Sequence, residues 1–113
     1  MTEPNRKKIC IIDGHGGGIG YTLIKYIRQV HENRLDIIAI GTNAIATASM
    51  LKAGALKGAS GENALILTVK KADVIIGPVS ITWPNAMLGE VTAEMAQAVM
   101  DNPAVKILFS EDT

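Results

Sequence analysis

Five glycines lie where a predicted strand gives way to a predicted helix. The segment reads Asp13-Gly14-His15-Gly16-Gly17-Gly18-Ile19-Gly20 and directly follows the apolar residues 9–12. Glycine adopts positive φ angles and lets a ligand approach the backbone without an intervening Cβ. The free N–H groups and the dipole of the following helix favour an anion. The sequence therefore predicts a binding site for a phosphate or a carboxylate at this loop.

The spacing of these glycines can be compared with the glycine patterns of known cofactor loops. Gly14, Gly18 and Gly20 fit a Gly-x-x-x-Gly-x-Gly register, which resembles the cofactor loop of short-chain dehydrogenases, whereas the strict Gly-x-Gly-x-x-Gly register fails. Those dehydrogenases carry a Thr where this chain has Asp13. An acidic side chain repels a pyrophosphate unless it faces away, is protonated, or binds a metal or a ligand hydroxyl. Asp13 is thus either a ligand contact or an acceptor that orders the loop.

The residues at the end of the second predicted strand indicate whether a nicotinamide dinucleotide fits this chain. A nicotinamide dinucleotide usually requires an acidic residue about 20 residues past the glycines, where it holds the ribose hydroxyls. This chain has Gly41-Thr42-Asn43 there, with neither an Asp for the diol nor an Arg for a 2′-phosphate. The sequence therefore disfavours NAD(P) without excluding it, and the cofactor stays unknown.

Three residues are candidates for proton transfer, namely Asp13, His15 and Glu62. His15 could act as a general acid or base with Asp13 two residues away, although an exposed loop histidine is the favoured interpretation. His31 and Cys10 belong to other predicted elements, so no zinc ligand set is expected. The sequence assigns no catalytic residue.

Composition limits the classes of partner. The chain has 113 residues, which suits one domain, with eleven basic and eleven acidic side chains and no basic stripe. Nucleic acid is therefore not an expected partner, and no apolar stretch approaches the roughly 20 residues of a membrane span. The single cysteine, Cys10, lies in an apolar run and favours a reduced compartment, so a cytoplasmic protein is expected.

Apolar runs alternate with helical periodicity along the chain. Buried strands are predicted at residues 8–12, 35–40, 74–76 and 105–109, with a possible short fifth strand within 55–60. This alternation predicts a small Rossmann-like three-layer α/β domain over residues 1–113, with a mostly parallel sheet of four or five strands and helices on both faces. Residues 1–6 are expected to be flexible.

Helices are predicted between these strands, at residues 21–32, 44–53 and from Thr92 to the residues before Pro103. In the first, the expected buried stripe includes Val30, and in the last it includes Met100. Residues 62–71 have strand composition, but their position favours a helix. Residues 79–90 are expected to be loop or short helix. The helix over 44–53 has little polar face, so it is either sandwiched inside the domain or covered by a second copy, which is the basis for expecting a homodimer.

Ligands of such sheets bind beyond the carboxyl ends of the strands. These ends bring together the glycine loop, Gly41-Thr42-Asn43, residues 77–80 and Ser110-Glu111, and the loop 58–63 either joins them or only caps a helix. The candidate ligand-binding residues are therefore Asp13, Gly14, His15, Gly16, Gly17, Gly18, Ile19, Gly20, Gly41, Thr42, Asn43, Glu62, Asn63, Gly77 and Pro78.

The chain resembles an uncharacterised bacterial family of short Rossmann-like proteins, a domain of unknown function. The resemblance spans roughly residues 8–109 and is carried chiefly by the glycine loop and by the segment 41–48, which begins Gly41-Thr42-Asn43. It implies a fold but no activity. Three hypotheses follow: a sensor or binding module for a nucleotide or small anionic metabolite, a small enzyme acting on such a ligand, and a structural partner subunit.

Overall fold

The computed structural model describes residues 6–110, so residues 1–5 of the expected flexible start, and Glu111, lie outside the described chain. The elements follow one another as β1 (Lys8–Asp13), α1 (Gly18–His31), β2 (Asp36–Gly41), α2 (Ala44–Ala53), β3 (Lys57–Ser60), α3 (Glu62–Val69), β4 (Val74–Pro78), a 3-10 helix (Val79–Thr82), α4 (Ala93–Asp101) and β5 (Val105–Phe109). The five strands are all parallel, in the order β3-β2-β1-β4-β5. The Rossmann-like α/β fold predicted from the sequence is confirmed.

The central strand β1 is buried on both faces of the sheet. Ile9 and Ile11 pack with α1 and α2, while Cys10 and Ile12 pack with α3 and α4. Because both faces are covered here, the strand is continuously apolar instead of alternating with polar residues. Burial raises the pKa of the Cys10 thiol to about 12, since a thiolate would lose its hydration in this core.

The chain order creates a switch point between β1 and β4. From β1 the chain moves through α1 to β2 and then to β3, and α3 carries it back across the sheet to β4. The loops after β1 and β4 therefore leave the sheet in opposite directions. In open parallel sheets this divergence forms the crevice where ligands bind.

Two helices on each face leave two parts of the five-stranded sheet uncovered. On the α1/α2 face, Val105 and Ile107 of β5 are 63% and 51% exposed. On the α3/α4 face, Ile38 of β2 is half-buried, and the whole of β3 is exposed. The sheet is thus apolar over a wider area than its own described helices cover.

The helix signals in the sequence are largely confirmed. The Asn43 side chain accepts a hydrogen bond from the Ala46 N–H at 2.8 Å and caps α2, while Thr92 caps α4. Gly54 ends α2 with a φ of 123°. Residues 62–69 are helical, as their position indicated, and β3 is the possible fifth strand.

Two expected core residues are exposed instead. Val30 is 46% exposed and Met100 is 56% exposed, so the predicted buried stripes of α1 and α4 extend too far. Both residues lie in the last turns of their helices, and in α4 the neighbouring Val99 is fully buried, so Met100 lies outside the buried stripe of that turn. The helix α2 is not sandwiched, since Ile45 is 72% exposed. Coverage by a second copy remains a prediction.

Among residues 6–110, no helix has the length and apolar character needed to cross a membrane.

The close approach of β2 to α2 depends on Gly41. A Cβ at this position would lie 2.5 Å from the Asn43 carbonyl oxygen and 2.6 Å from the Thr47 nitrogen, both backbone atoms. We expect Gly41→Ala to lower the free energy of unfolding by about 1–3 kcal/mol, the usual cost of overpacking. Urea denaturation would measure it. Gly16→Ala is the matched control, because its Cβ meets no atom within 4 Å, and equal losses in the two variants would contradict this account.

Candidate functional site

The glycine loop connects β1 to α1 through a tight turn. The Gly17 N–H donates to the Gly14 carbonyl oxygen at 2.8 Å, and Gly17 precedes the helix with a φ of 75°. A left-handed residue at this point suits glycine because it has no Cβ. The turn places the first residues of α1 directly beyond the carboxyl end of the central strand.

Asp13 orders this loop with both of its carboxylate oxygens. Oδ1 accepts from the Gly14 N–H at 2.8 Å, and Oδ2 accepts from the Gly20 N–H at 2.7 Å, with the residue only 4% exposed. Gly20 is the third residue of α1, so Asp13 performs the task of a helix cap from the preceding strand. Of the two roles left open by the sequence, these contacts are those of a loop-ordering acceptor.

Four backbone N–H groups of the loop remain available for a ligand. No acceptor among the described residues bonds to the N–H groups of His15, Gly16, Gly18 or Ile19. All four residues are exposed, and a Cβ on Gly16 or Gly18 would meet nothing within 4 Å. The start of α1 therefore presents an open backbone surface of donors.

The other three glycines serve packing instead. A Cβ on Gly17 would lie 2.8 Å from the Ala46 carbonyl oxygen, and one on Gly20 would lie 2.6 Å from the Met50 sulfur, so both allow α1 and α2 to approach. Gly14 lies directly against the Met87 sulfur and the Thr42 hydroxyl. The run of glycines thus combines close helix packing with an open donor surface.

A carboxylate also reaches the end of β2, and it comes from a distant part of the chain. Glu90 Oε1 accepts from the Thr42 hydroxyl at 2.7 Å and from the Asn43 Nδ2 at 3.2 Å. The same Asn43 Nδ2 donates to the His15 carbonyl oxygen at 2.9 Å. Asn43 therefore joins the glycine loop to Glu90, and it also caps α2.

Glu90 belongs to residues 83–91, a turn segment that crosses from β4 toward the ends of β1 and β2. Three non-glycine residues in it have left-handed backbones, namely Asn85, Met87 and Leu88, with φ angles of 70°, 57° and 56°. Such conformations cost about 1 kcal/mol or more each. The Asn85 N–H bonds to the Val91 carbonyl oxygen at 2.7 Å and closes the segment. The Leu88 side chain at its tip is fully exposed.

Sequence reasoning missed Glu90 and Met87 as parts of this site. Glu90 is 48 residues from Thr42 in the chain, and no periodicity or motif relates the two positions. The available signal was the Gly89-Glu90 pair at the end of a turn-rich segment. This pair shows that the chain turns but does not show where it turns to.

The remaining predicted site residues are placed as follows. Gly77 lets β4 pack closely on β1, since a Cβ there would lie 2.7 Å from the Ile12 carbonyl oxygen, and Pro78 precedes the 3-10 helix. The Glu62 carboxylate accepts from the Thr92 hydroxyl at 2.5 Å, which links α3 to the cap of α4. Asn63 is exposed. Neither Glu62 nor Asn63 has a hydrogen bond to the glycine loop.

The chemistry of the site is that of hydrogen-bond donors and carboxylates. Within residues 6–110, no group of three or more His, Cys, Asp or Glu side chains could hold a metal ion. None of the site's hydrogen bonds described above involves Lys or Arg. The backbone N–H groups and the helix dipole are groups of this site that attract an anion.

The chain belongs to the family described as "Domain of unknown function (DUF3842)", whose model matches residues 8–111. This agrees with the resemblance inferred from the sequence. A search of curated proteins gave no match. Membership of this family assigns no activity to the chain, so the geometry of the site is the basis for inferring its function.

The loop geometry predicts a large effect of Asp13→Asn. An amide retains one acceptor oxygen, so one of the two buried N–H groups would face an NH2 group. We expect unfolding to require about 2 kcal/mol less, since a hydrogen bond to a charged group is lost in a buried setting. Chemical denaturation would measure this. Asp73→Asn is the control, because the exposed Asp73 carboxylate bonds a single backbone N–H, that of Lys8. Equal changes in both variants would refute the role assigned to Asp13.

The contacts of Glu90 predict a pH dependence. Hydrogen bonds from Thr42 and then Asn43, with a smaller effect of the His15 charge, hold the Glu90 pKa below its ordinary value of 4.5. A lowered pKa gives stability that is present above the ordinary value and is lost as pH falls through the lowered one. We expect the melting temperature of the native chain to fall more steeply below pH 4.5 than that of Glu90→Gln. Parallel melting curves would show that Glu90 contributes nothing.

Proposed function

We propose that this member of the DUF3842 family binds a nucleotide or another small anionic metabolite at the glycine loop, as a sensor or binding module. The observation that carries the proposal is the set of four exposed N–H groups at His15, Gly16, Gly18 and Ile19, which lack acceptors among the described residues. They surround the first turn of the 14-residue helix α1. The end of a helix of this length attracts an anion through its dipole and its N–H groups.

The position in the sheet supports the same conclusion. The loop follows the central strand at the switch point between β1 and β4, where doubly wound sheets hold their ligands. Gly16 and Gly18 leave the approach to the backbone open. The third N–H of the helix, that of Gly20, is taken by Asp13, so a ligand has the donors of Gly18 and Ile19.

Glu90 supports a ligand that carries hydroxyl groups as well as an anion. Dinucleotide-binding folds place an acidic side chain at the end of the second strand to accept ribose hydroxyls. Here Glu90 supplies a carboxylate at the end of β2, although it comes from the segment 83–91. Its Oε2 has one long contact, 3.4 Å from the Asn43 Nδ2, and can accept further hydrogen bonds. A nucleoside phosphate would engage both Glu90 and the glycine loop.

Binding is favoured over catalysis by the state of the candidate proton-transfer groups. Each carboxylate oxygen of Asp13 accepts from a backbone N–H, and Glu62 accepts from Thr92. The His15 side chain is exposed and has no hydrogen bond among the described residues. Acid–base catalysis needs a positioned base near its substrate proton, and no pair of these groups forms one.

The proposal predicts that Gly18→Val abolishes ligand binding in a folded protein. A Cβ there meets no protein atom, so the fold should persist, while the side chain would cover the donor surface. Melting-temperature shifts should be measured with AMP, ATP, NAD, and phosphorylated and carboxylated metabolites. A ligand at 100 times its Kd stabilises the native state by about 2.7 kcal/mol.

The control for this experiment is Gln29→Val. It introduces the same side chain on an exposed position of α1, about 16 Å further along the helix. The shift should survive in Gln29→Val and disappear in Gly18→Val. A shift retained in folded Gly18→Val would exclude the loop from the site. The absence of any shift across the panel would count against ligand binding and in favour of a partner-subunit role.

A further inference from the structure

The sheet edge formed by β3 is open to pairing with another strand. All four residues of Lys57–Ser60 are exposed, and β3 lies at one end of the strand order. Alternate residues of an edge strand turn their N–H and C=O groups away from their own sheet. Lys57 is the one charged residue of β3, and the three residues after it are small. At the other edge, β5 carries Lys106 near its centre, a charge that opposes strand pairing.

The helix α2 packs above the β3 edge and leaves one face exposed. Opposite its buried side, this face carries Ala44, Ile45, Ala48, Leu51 and Lys52. Ile45 and Leu51 are 72% and 41% exposed, so apolar surface faces water here. Ala48 lies at the centre of the face by helical periodicity, and its small side chain allows another helix to approach.

The centres of β3 and of the exposed face of α2 lie at the same level. The Thr47 hydroxyl donates to the Ala59 carbonyl oxygen at 3.1 Å and lies 2.7 Å from the Ser60 hydroxyl, and Thr47 directly precedes Ala48. A single twofold axis perpendicular to the sheet can therefore pass beside both Ala48 and Ala59. Rotation about this axis pairs β3 antiparallel with β3 of a second copy and sets the two α2 helices antiparallel above them.

The spacing of the two layers fits this arrangement. The helix α2 contacts β2 and β3 to the same extent, so its axis lies over the space between them. With strands about 4.8 Å apart, the α2 axis is about 4.8 Å from a twofold axis placed half a strand spacing beyond β3. The two helix axes are then about 9.6 Å apart, within the range of about 8–10 Å for packed helices. One rotation thus satisfies strand pairing and helix packing together.

The charges at the ends of α2 and β3 select an antiparallel pair. The Glu90 carboxylate lies at the start of α2, 3.2 Å from the Asn43 Nδ2, and Lys52 lies in its last turn. In β3 the order is reversed, with Lys57 first and Glu62 just beyond the end of the strand. None of these four charges forms an ion pair within residues 6–110. A parallel pair would bring like charges together, whereas the twofold rotation places each lysine at a carboxylate end of the second copy.

We propose that two copies of this chain form a dimer through β3 and α2, with one continuous sheet made of the two five-stranded sheets. The β3 strands pair antiparallel about Ala59, and the α2 helices pack across Ala48. The stem of the partner's Lys52 covers Ile45, and its ammonium group lies toward the end of α2 that carries Glu90. The interface is independent of the proposed function, because it does not include the glycine loop.

Cysteine cross-linking tests the position of the twofold axis. Ala48→Cys and Ala59→Cys each place two thiols beside the axis, and paired residues of antiparallel strands have Cα atoms about 5.5 Å apart, which suits a disulfide. Ala44→Cys is the matched control on the same helix, because antiparallel α2 helices hold its two copies at least about 12 Å apart. Ala93→Cys is a control at an exposed alanine of α4. Native Cys10 is buried and its pKa is raised to about 12, so it does not cross-link.

Charge reversal tests the electrostatic part of the interface. Sedimentation of the native chain should show a monomer–dimer equilibrium. Lys52→Glu with Lys57→Glu should raise its Kd about tenfold, because four reversed charges in the dimer would each meet a carboxylate end. Lys25→Glu with Lys70→Glu reverses two exposed lysines outside the interface and should leave the Kd unchanged.

Disulfide-linked dimers are expected on non-reducing gels from Ala48→Cys and Ala59→Cys but not from the two control variants. If one of the two interface variants fails to fold, the other decides. A native chain that stays monomeric up to the millimolar range would overturn the proposal. Cross-linking of Ala44→Cys as efficient as that of Ala48→Cys, or equal effects of the two charge reversals on the Kd, would also overturn it.

Discussion

The two hydrogen bonds of the Asp13 carboxylate hold the end of β1, the glycine loop and the first turn of α1 in one geometry. A buried carboxylate is tolerated only when its charge is compensated, and here the compensation comes from backbone donors at the positive end of a helix. Because the Asp13 charge offsets part of the helix dipole, the proposed ligand would be expected to carry a single charge or one phosphate and not a dense polyphosphate. Glu90 adds a second negative charge nearby, with the same effect.

The second constraint is the ratio of helices to strands. Four helices divided between two faces cannot cover five strands, so one uncovered area remains on each face, at opposite sides of the sheet. On the α1/α2 face the area carries Val105 and Ile107 and is apolar. The homodimer expected from the sequence would instead cover α2, where Ile45 is 72% exposed, and it remains a prediction. On the α3/α4 face the uncovered area includes Ile38 of β2 and the exposed strand β3.

Much of the fold could be predicted because its determinants are local. Apolar runs bounded by turns define the strands, and Asn43 and Thr92 satisfy the first N–H groups of the helices that follow them. The position of the glycine loop was predicted for the same reason, because its glycines directly follow the apolar run of β1. Contacts between distant segments were not predictable. Glu90 reaches Thr42 only through the path of the segment 83–91. The exposure of Val30 depends on helix placement, which the sequence pattern does not encode.

The segment 83–91 combines backbone strain with firm anchoring. Its three left-handed non-glycine residues together cost a few kcal/mol, and the backbone hydrogen bonds that close the segment and the burial of Val91 offset this cost. Met87 packs against Gly14, and Glu90 accepts from Thr42 and Asn43. Both anchors end beside the glycine loop, and Glu90 is itself a contact of the proposed ligand. A ligand hydroxyl that bonds to Glu90 would compete with the anchor that holds the segment, so binding at the glycine loop and the position of residues 83–91 would be thermodynamically linked.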